Sequence, residues 1–285
     1  MAERTRRGKR KRALLGSHQR CWLWGRHLVT ETLRAGRWPV LELRLSERLP
    51  ADELYQARTL ATGRGLSVLL EPHDNLTRLA RSPEHQGYLA RMPPFPYDDL
   101  ETLLARRPAT PLYLMLDRVQ DPYNFGAILR AADGLGADAV FVDVSGQSDV
   151  TSLTARASAG AINHVPLAQA ADLPALVERL RGAGHLAAAA SHTADADVFD
   201  YDFRGPTLVI VGNEGAGIRP EILSRCDRRV RIPQFGRVSS LNAAVATGIL
   251  LYEVRRQRGN EISASGRPAL ECGDLSPLSL NGDSA

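Results

Sequence analysis

Three consecutive stretches decide the fold: Leu112-Tyr113-Leu114-Met115-Leu116, then Asp121-Pro122-Tyr123-Asn124-Phe125-Gly126-Ala127-Ile128-Leu129-Arg130, then Ala139-Val140-Phe141-Val142-Asp143-Val144. The outer two are short apolar runs of the kind found in buried strands. The middle one reads as a helix. Asp121 is an N-cap residue type, Pro122 suits a first turn, and Phe125, Ile128, Leu129 and Ala132 fall on one buried stripe. Strand, helix and strand in that order predict a parallel pair with a crossover. The alternation continues, with helices at 151–161, 173–181, 220–225 and 242–257 and strands at 185–190, 208–211 and 229–232. The reading is an α/β domain over 111–258, built on a parallel sheet covered on both faces.

Upstream, 25–36 and 52–62 read as helices and 40–45 and 66–70 as strands, a small α/β unit over 21–92. Pro93, Pro94, Pro96, Pro108 and Pro111 crowd the next segment. Such density resists helix and central strand, so 93–110 is read as a linker.

Net charge is +4, but it is unevenly placed. Residues 1–20 carry eight Lys and Arg against Glu3 alone, whereas 259–285 carry Arg267 against four acids. Both ends are expected to be disordered tails, and the basic one suits contact with a polyanion such as RNA, or a solubilising arm. Cys21, Cys226 and Cys272 form no CxxC pair. Disulfides and a structural metal are therefore not expected, and the chain reads as a reduced cytoplasmic protein. No apolar run reaches the roughly 18 residues that span a bilayer.

Three segments carry chemistry. In the first, Asn124 offers a donor and an acceptor near a helix start, and Gly126 and Arg130 share a face. Bare backbone beside a guanidinium suits a phosphate or ribose; a capped helix with a surface arginine explains the pattern equally. In the second, Val211 runs into Gly212-Asn213-Glu214-Gly215-Ala216-Gly217. This turn lacks the Lys-Ser/Thr of a phosphate loop, and Glu214 would repel a pyrophosphate. A carboxylate there suits hydroxyls, an amino group or positive charge. In the third, Ile232-Pro233 leads through Ser239-Ser240-Leu241-Asn242 into a helix rich in small residues, where Ser240 and Asn242 are cap types. Each segment alone also reads as capping and packing.

Together, in this order, they resemble the three signature motifs of the SpoU (TrmH-like) family of RNA 2′-O-ribose methyltransferases, in the SPOUT superfamily. Gly25-Arg26-His27-x-Val29-x-Glu31-x-Leu33-x-x-Gly36 is similar to the ribosomal-protein-like, RNA-binding substrate domain preceding the catalytic domain in ribosomal RNA members. The resemblance implies a deep carboxy-terminal trefoil knot, which folding rules make rare, and a homodimer with both active sites at its interface. It implies S-adenosylmethionine as cofactor, held by Gly212, Asn213, Glu214, Gly217, Ile232 and Leu241, with no metal. It implies catalytic or positioning roles for Asn124, Arg130, Glu214, Ser240 and Asn242, with Arg130 reaching the ribose from the second subunit. The reaction implied is attack of a ribose 2′-hydroxyl on the cofactor's methyl group. The amino-terminal unit and the Asn124–Ala127 form favour a guanosine of large-subunit (23S) ribosomal RNA. Asn213, where many ribosomal RNA members carry a small residue, also fits transfer RNA members. A non-catalytic ribosome-assembly factor on the same fold is the third reading. Three of the histidines, His164, His185 and His192, are read as core or surface groups, and Trp22, Trp24 and Trp38 as core of the small unit.

Overall fold

A computed structural model describes residues 22–106, 108–194, 196–237 and 240–259. The expectations for the two tails, and Ser239 of the third segment, lie outside the described residues.

The amino-terminal unit comprises β1 (Trp22–Trp24), α1 (Arg26–Ala35), β2 (Glu42–Ser46), α2 (Ala51–Thr62), β3 (Val68–Glu71), α3 (His73–Ala80) and β4 (Tyr88–Arg91). Its sheet is mixed, in the order β1-β4-β2-β3, with only β2 and β3 parallel. Gly36 closes α1 in a left-handed conformation, φ 67°, and donates to Thr32 O, a glycine C-cap. Trp38 and Trp24 are buried, as expected of core residues.

The stretch 93–110 is not a bare connector. Asp99 caps a short helix, α4 (Leu100–Ala105), by accepting the N–H of Thr102 at 2.8 Å. Pro93 O accepts the Trp38 indole N–H at 3.0 Å, and Phe95 meets the Trp38 ring edge-on at 5.1 Å. Asp98 then bridges to the edge of the second sheet at Ala168. The prolines surround the helix without entering it, which is why their density misleads.

The larger unit runs through β5 (Leu112–Asp117), α5 (Pro122–Gly134), β6 (Ala139–Asp143), α6 (Ser152–Ala157) and β7 (Leu167–Ala170). It continues with α7 (Leu173–Gly182), β8 (Leu186–Ala190), β9 (Ala196–Asp197), β10 (Thr207–Gly212), α8 (Pro220–Leu223), β11 (Arg228–Arg231) and α9 (Ala243–Arg258). The sheet order is β7-β6-β5-β10-β8-β11-β9 and every pairing is parallel. Core β5, β6 and β10 are buried along almost their whole length, as a two-sided parallel sheet demands. The chain order reverses between β5 and β10, where Asp117 lies opposite Gly212. Open parallel sheets bind ligands outside the carboxyl ends of their strands at such a switch.

Val230 sits between two strands that are consecutive in the chain. Val230 pairs with Ala190 on one side and Ala196 on the other. β11 thus lies between β8 and β9, and Ser191 donates its N–H to Val230 O at 2.9 Å.

The two units share one apolar core that runs from Leu23 and Trp38 to Leu116, Phe125 and Val254. Charged contacts reinforce the junction. Arg37 pairs with Asp98 at 2.5 Å and donates to the carbonyls of Ile162 and Val165, and His164 meets Glu31 at 2.9 Å.

Candidate active site

A cleft of about 700 Å³ opens outside the carboxyl ends of β8, β10 and β11. Asn124, the Gly212–Gly217 turn, Ile232, Ser240, Leu241 and Asn242 all line it. Three segments far apart in sequence thus meet at one place; of the described residues singled out from the sequence as ligand-facing, Gly126 and Arg130 stay off the lining.

The turn after β10 is held from within. Asn213 and Gly217 exchange backbone hydrogen bonds of 3.0 and 2.9 Å. The Asn213 side chain accepts the N–H groups of Gly215 and Ala216 at 2.9 and 2.8 Å and donates to Arg118 O at 2.9 Å. A Cβ on Gly212 would lie 2.3 Å from the Gly217 carbonyl carbon, so the turn can fold back only on glycine. Beyond it, Arg219 ties the loop to the sheet. Its backbone N–H and its Nε donate to Asp117 at 2.7 Å each, and its Nη2 donates to Asp143 at 2.6 Å. Asp117 is fully buried. This cluster has no sequence signature, because nothing in the spacing of Asp117, Asp143 and Arg219 announces a contact.

At the rim, one chain of side-chain hydrogen bonds connects the three segments. Asn242 Nδ2 donates to Asn124 Oδ1 at 2.8 Å, and Asn124 Nδ2 donates to Glu214 Oε1 at 3.0 Å. Asn242 is also the cap of α9, accepting from Ala244 and Val245 at 2.9 and 3.3 Å. Burial pushes the Glu214 carboxyl up. The bonds from Asn124 and from the N–H groups of Gln120 and Asp121 outweigh it and hold the group below the usual glutamate range. Glu214 is thus a fixed anion with an oriented amide beside it.

Gly126 does not offer bare backbone to a ligand. A Cβ there would meet Thr154 O at 2.4 Å and Ala157 Cβ at 2.5 Å, so this glycine lets α5 and α6 touch. Arg130 is exposed on α5, six residues beyond Asn124 and about 9 Å farther along the axis. His192, read as a core or surface group, lines the cleft with Thr193 and Gln234; no local pattern marks it. Among the described residues no helix is long and apolar enough to cross a membrane, and no cluster of His, Cys, Asp and Glu could hold a metal ion.

Residues 111–252 match the family model described as the SpoU rRNA Methylase family. Residues 22–98 match the model described as RNA 2′-O ribose methyltransferase substrate binding. YacO of Bacillus subtilis strain 168, of the TrmH family of tRNA/rRNA methyltransferases, is 31% identical over 245 residues, covering 85% of this chain and 98% of that one. An uncharacterized tRNA/rRNA methyltransferase of Mycolicibacterium gilvum is 37% identical over 238 residues, with 82% and 76% covered. Among solved structures, the SpoU methyltransferase AviRb of Streptomyces viridochromogenes, in complex with AdoMet, superposes with a TM-score of 0.70 at 31% identity, covering 83% of this chain and 90% of that one. An AdoMet-bound rRNA methyltransferase of Sinorhizobium meliloti gives 0.71 at 30% identity, with 83% and 87% covered.

Proposed function

Because this chain belongs to the SpoU (TrmH-like) family of RNA methyltransferases, we propose that it methylates the 2′-hydroxyl of a ribose in RNA using S-adenosylmethionine. The favoured substrate is a guanosine of large-subunit ribosomal RNA in the cytoplasm. The observation that carries the reading is the Asn242–Asn124–Glu214 chain at the mouth of the cleft.

The cleft fits the cofactor. Its volume falls within the roughly 300–1,000 Å³ of small-molecule sites. Its wall is apolar at Val211, Ile218, Leu223 and Leu250, as an adenine ring requires. Gly217, at φ 69°, has open space where a side chain would stand. When bound, S-adenosylmethionine supplies a methyl group on a positively charged sulfur. Gly212, Ile232 and Leu241 would hold its adenosine part, and Asn213 fixes the turn. Glu214 presents negative charge to it, while Asn124, Ser240 and Asn242 orient the ribose. What these residues contribute is alignment, which dominates the rate gain when the cofactor carries the reactivity.

The site reads as half of a dimer. Leu241, Val245, Ile249 and Tyr252 are 38, 52, 37 and 61% exposed and share one face of the carboxy-terminal segment. Tyr123 is 59% exposed on α5, the helix that packs against α9. A second copy would cover this stripe and bring its Arg130 to the ribose or the adjacent phosphate. The insertion of β11 between β8 and β9 supports the trefoil knot expected of the family.

Labelled S-adenosylmethionine, offered side by side with protein-free ribosomal RNA and bulk transfer RNA, tests the substrate. Label in ribosomal RNA alone is expected. Label confined to transfer RNA would overturn the ribosomal assignment. Tight RNA binding with no label in either would favour a non-catalytic assembly factor.

A further inference from the structure

A second concavity, of about 330 Å³, lies in the amino-terminal unit between α1 and α2. Half-buried Leu60 and the exposed Arg26, Arg34, Gln56 and Gln86 line it, with Ala57 buried beneath. The rim is fixed by an unusual turn. Gln86 has a left-handed backbone, φ 51°, and its Oε1 accepts the N–H of Arg26 at 2.9 Å. Fully buried His85 anchors that turn, its Nδ1 accepting the Gly87 N–H at 3.0 Å and its Nε2 lying 3.0 Å from Thr77 Oγ1. Strained positions that their surroundings over-determine cluster at binding sites.

The two arginines differ. Arg26 is paired with Glu53 at 3.0 Å. Arg34, eight residues on and about 12 Å farther along α1, is exposed and has no side-chain partner among the described residues. The concavity therefore combines a small apolar patch at Leu60, two side-chain amides offering both donor and acceptor, and an uncommitted guanidinium. Bases stacked in a duplex cannot enter such a hollow; an unpaired base can. The junction through Arg37 and Asp98 holds it at a set distance from the cleft.

We propose that this groove is a nucleotide subsite taking one unpaired nucleotide of the substrate RNA, with its base against Leu60, its edge toward Gln56 and Gln86, and a phosphate at Arg34. The inference rests on the RNA methyltransferase reading and names a part of the substrate away from the methylated ribose.

Arg34→Ala and Gln56→Trp test it, since both residues are exposed and distant from the cleft. Cofactor affinity and kcat at saturating RNA should stay at wild-type values, while KM for RNA rises about tenfold, the effect of losing one stacked or phosphate contact. Arg34→Lys should recover most of it. The slope of log KM against log salt should fall by about 0.7 in Arg34→Ala, the value for one single-strand phosphate. Unpaired oligonucleotides should compete better than duplexes of the same sequence. Wild-type KM and slope in both variants, or equal competition by duplex, would overturn the subsite while leaving the enzyme reading intact. If the wild type methylates no RNA, titration with nucleoside 5′-monophosphates isolates the groove. Amide shifts at Gly25, Thr30 and Gly87 would uphold it, and their absence would overturn it.

Discussion

Asn124 and Asn242 stand 118 positions apart in the chain and share a hydrogen bond of 2.8 Å. That bond joins the start of α5 to the cap of α9, and Asn124 passes the connection on to Glu214. A ribose placed here would meet three groups whose orientations are already fixed, so little ordering remains when substrate arrives.

Asn124→Ala should remove both bonds and leave Glu214 without its oriented donor. Hydrogen bonds to charged groups contribute about 1.5–3 kcal/mol, so we expect methyl transfer to fall by one to two orders of magnitude or more. The thermal midpoint should change little, because Asn124 lies on the cleft rim. Steady-state kinetics and calorimetry on one preparation separate the two effects.

The depressed Glu214 carboxyl has a pH signature. A carboxyl held below its ordinary value of about 4.3 contributes all of its stabilisation above that pH and loses it as pH falls through the lowered value. Comparing wild type with Glu214→Gln cancels the other carboxylates. The difference in thermal midpoint should be constant near neutrality and shrink in acid. A difference that does not vary with pH would mean that the charge on Glu214 does not stabilise the fold.

Two glycines should fail in different ways when given a methyl group. Gly212→Ala forces the turn off the strand end and should abolish cofactor binding, measurable by titration calorimetry. Gly126→Ala pushes α5 from α6 and should lower stability by about 1–3 kcal/mol, the cost of overpacking, with cofactor affinity largely retained. Equal loss of affinity in both would contradict the division of labour between them.

Arg219→Ala would strip buried Asp117 of its guanidinium partner at 2.7 Å and leave only Arg118, 3.4 Å away, beside it. Removing one member of a buried pair costs about 3–5 kcal/mol, so the thermal midpoint and cofactor affinity should fall together. Asp117→Asn combined with Arg219→Ala should recover part of the stability without the affinity.

Arg130→Ala should keep both the fold and the cofactor affinity, as an exposed substitution does, yet lose nearly all methyl transfer. If Arg130 serves the second copy, mixing inactive Arg130→Ala with inactive Asn124→Ala subunits should restore partial activity, because one of the two sites in a mixed dimer is then intact. No recovery after subunit exchange would mean that each site takes Arg130 and Asn124 from the same subunit.

Much of the catalytic domain is legible in the sequence because each apolar run is bounded by a cap or a glycine, as at Asp121 and Gly212. Short elements escape such reading. Tyr88–Arg91 is buried on both faces over most of its length and shows no alternation; Leu167–Ala170 has only four residues. The helix at Leu100–Ala105 hides among prolines. At the site, motif residues announce themselves by type and spacing. The supports do not: Arg219, Asp117 and Asp143 meet only in three dimensions, and whether Gly126 faces a ligand or Thr154 depends on a helix the sequence cannot place. His192 reaches the cleft just beyond the end of β8, a placement that follows from the strand order and not from any local pattern.

Asn124, Glu214 and Asn242 are proposed to align a ribose hydroxyl for methylation, and nucleoside analysis of RNA methylated by wild type and by Asn124→Ala probes that role head-on. A single 2′-O-methylated nucleoside, seen as an alkali-resistant linkage, is expected from the wild type and should disappear with the variant. Methyl groups on a base, or a ribose methylation that survives Asn124→Ala at the wild-type rate, would contradict the proposal.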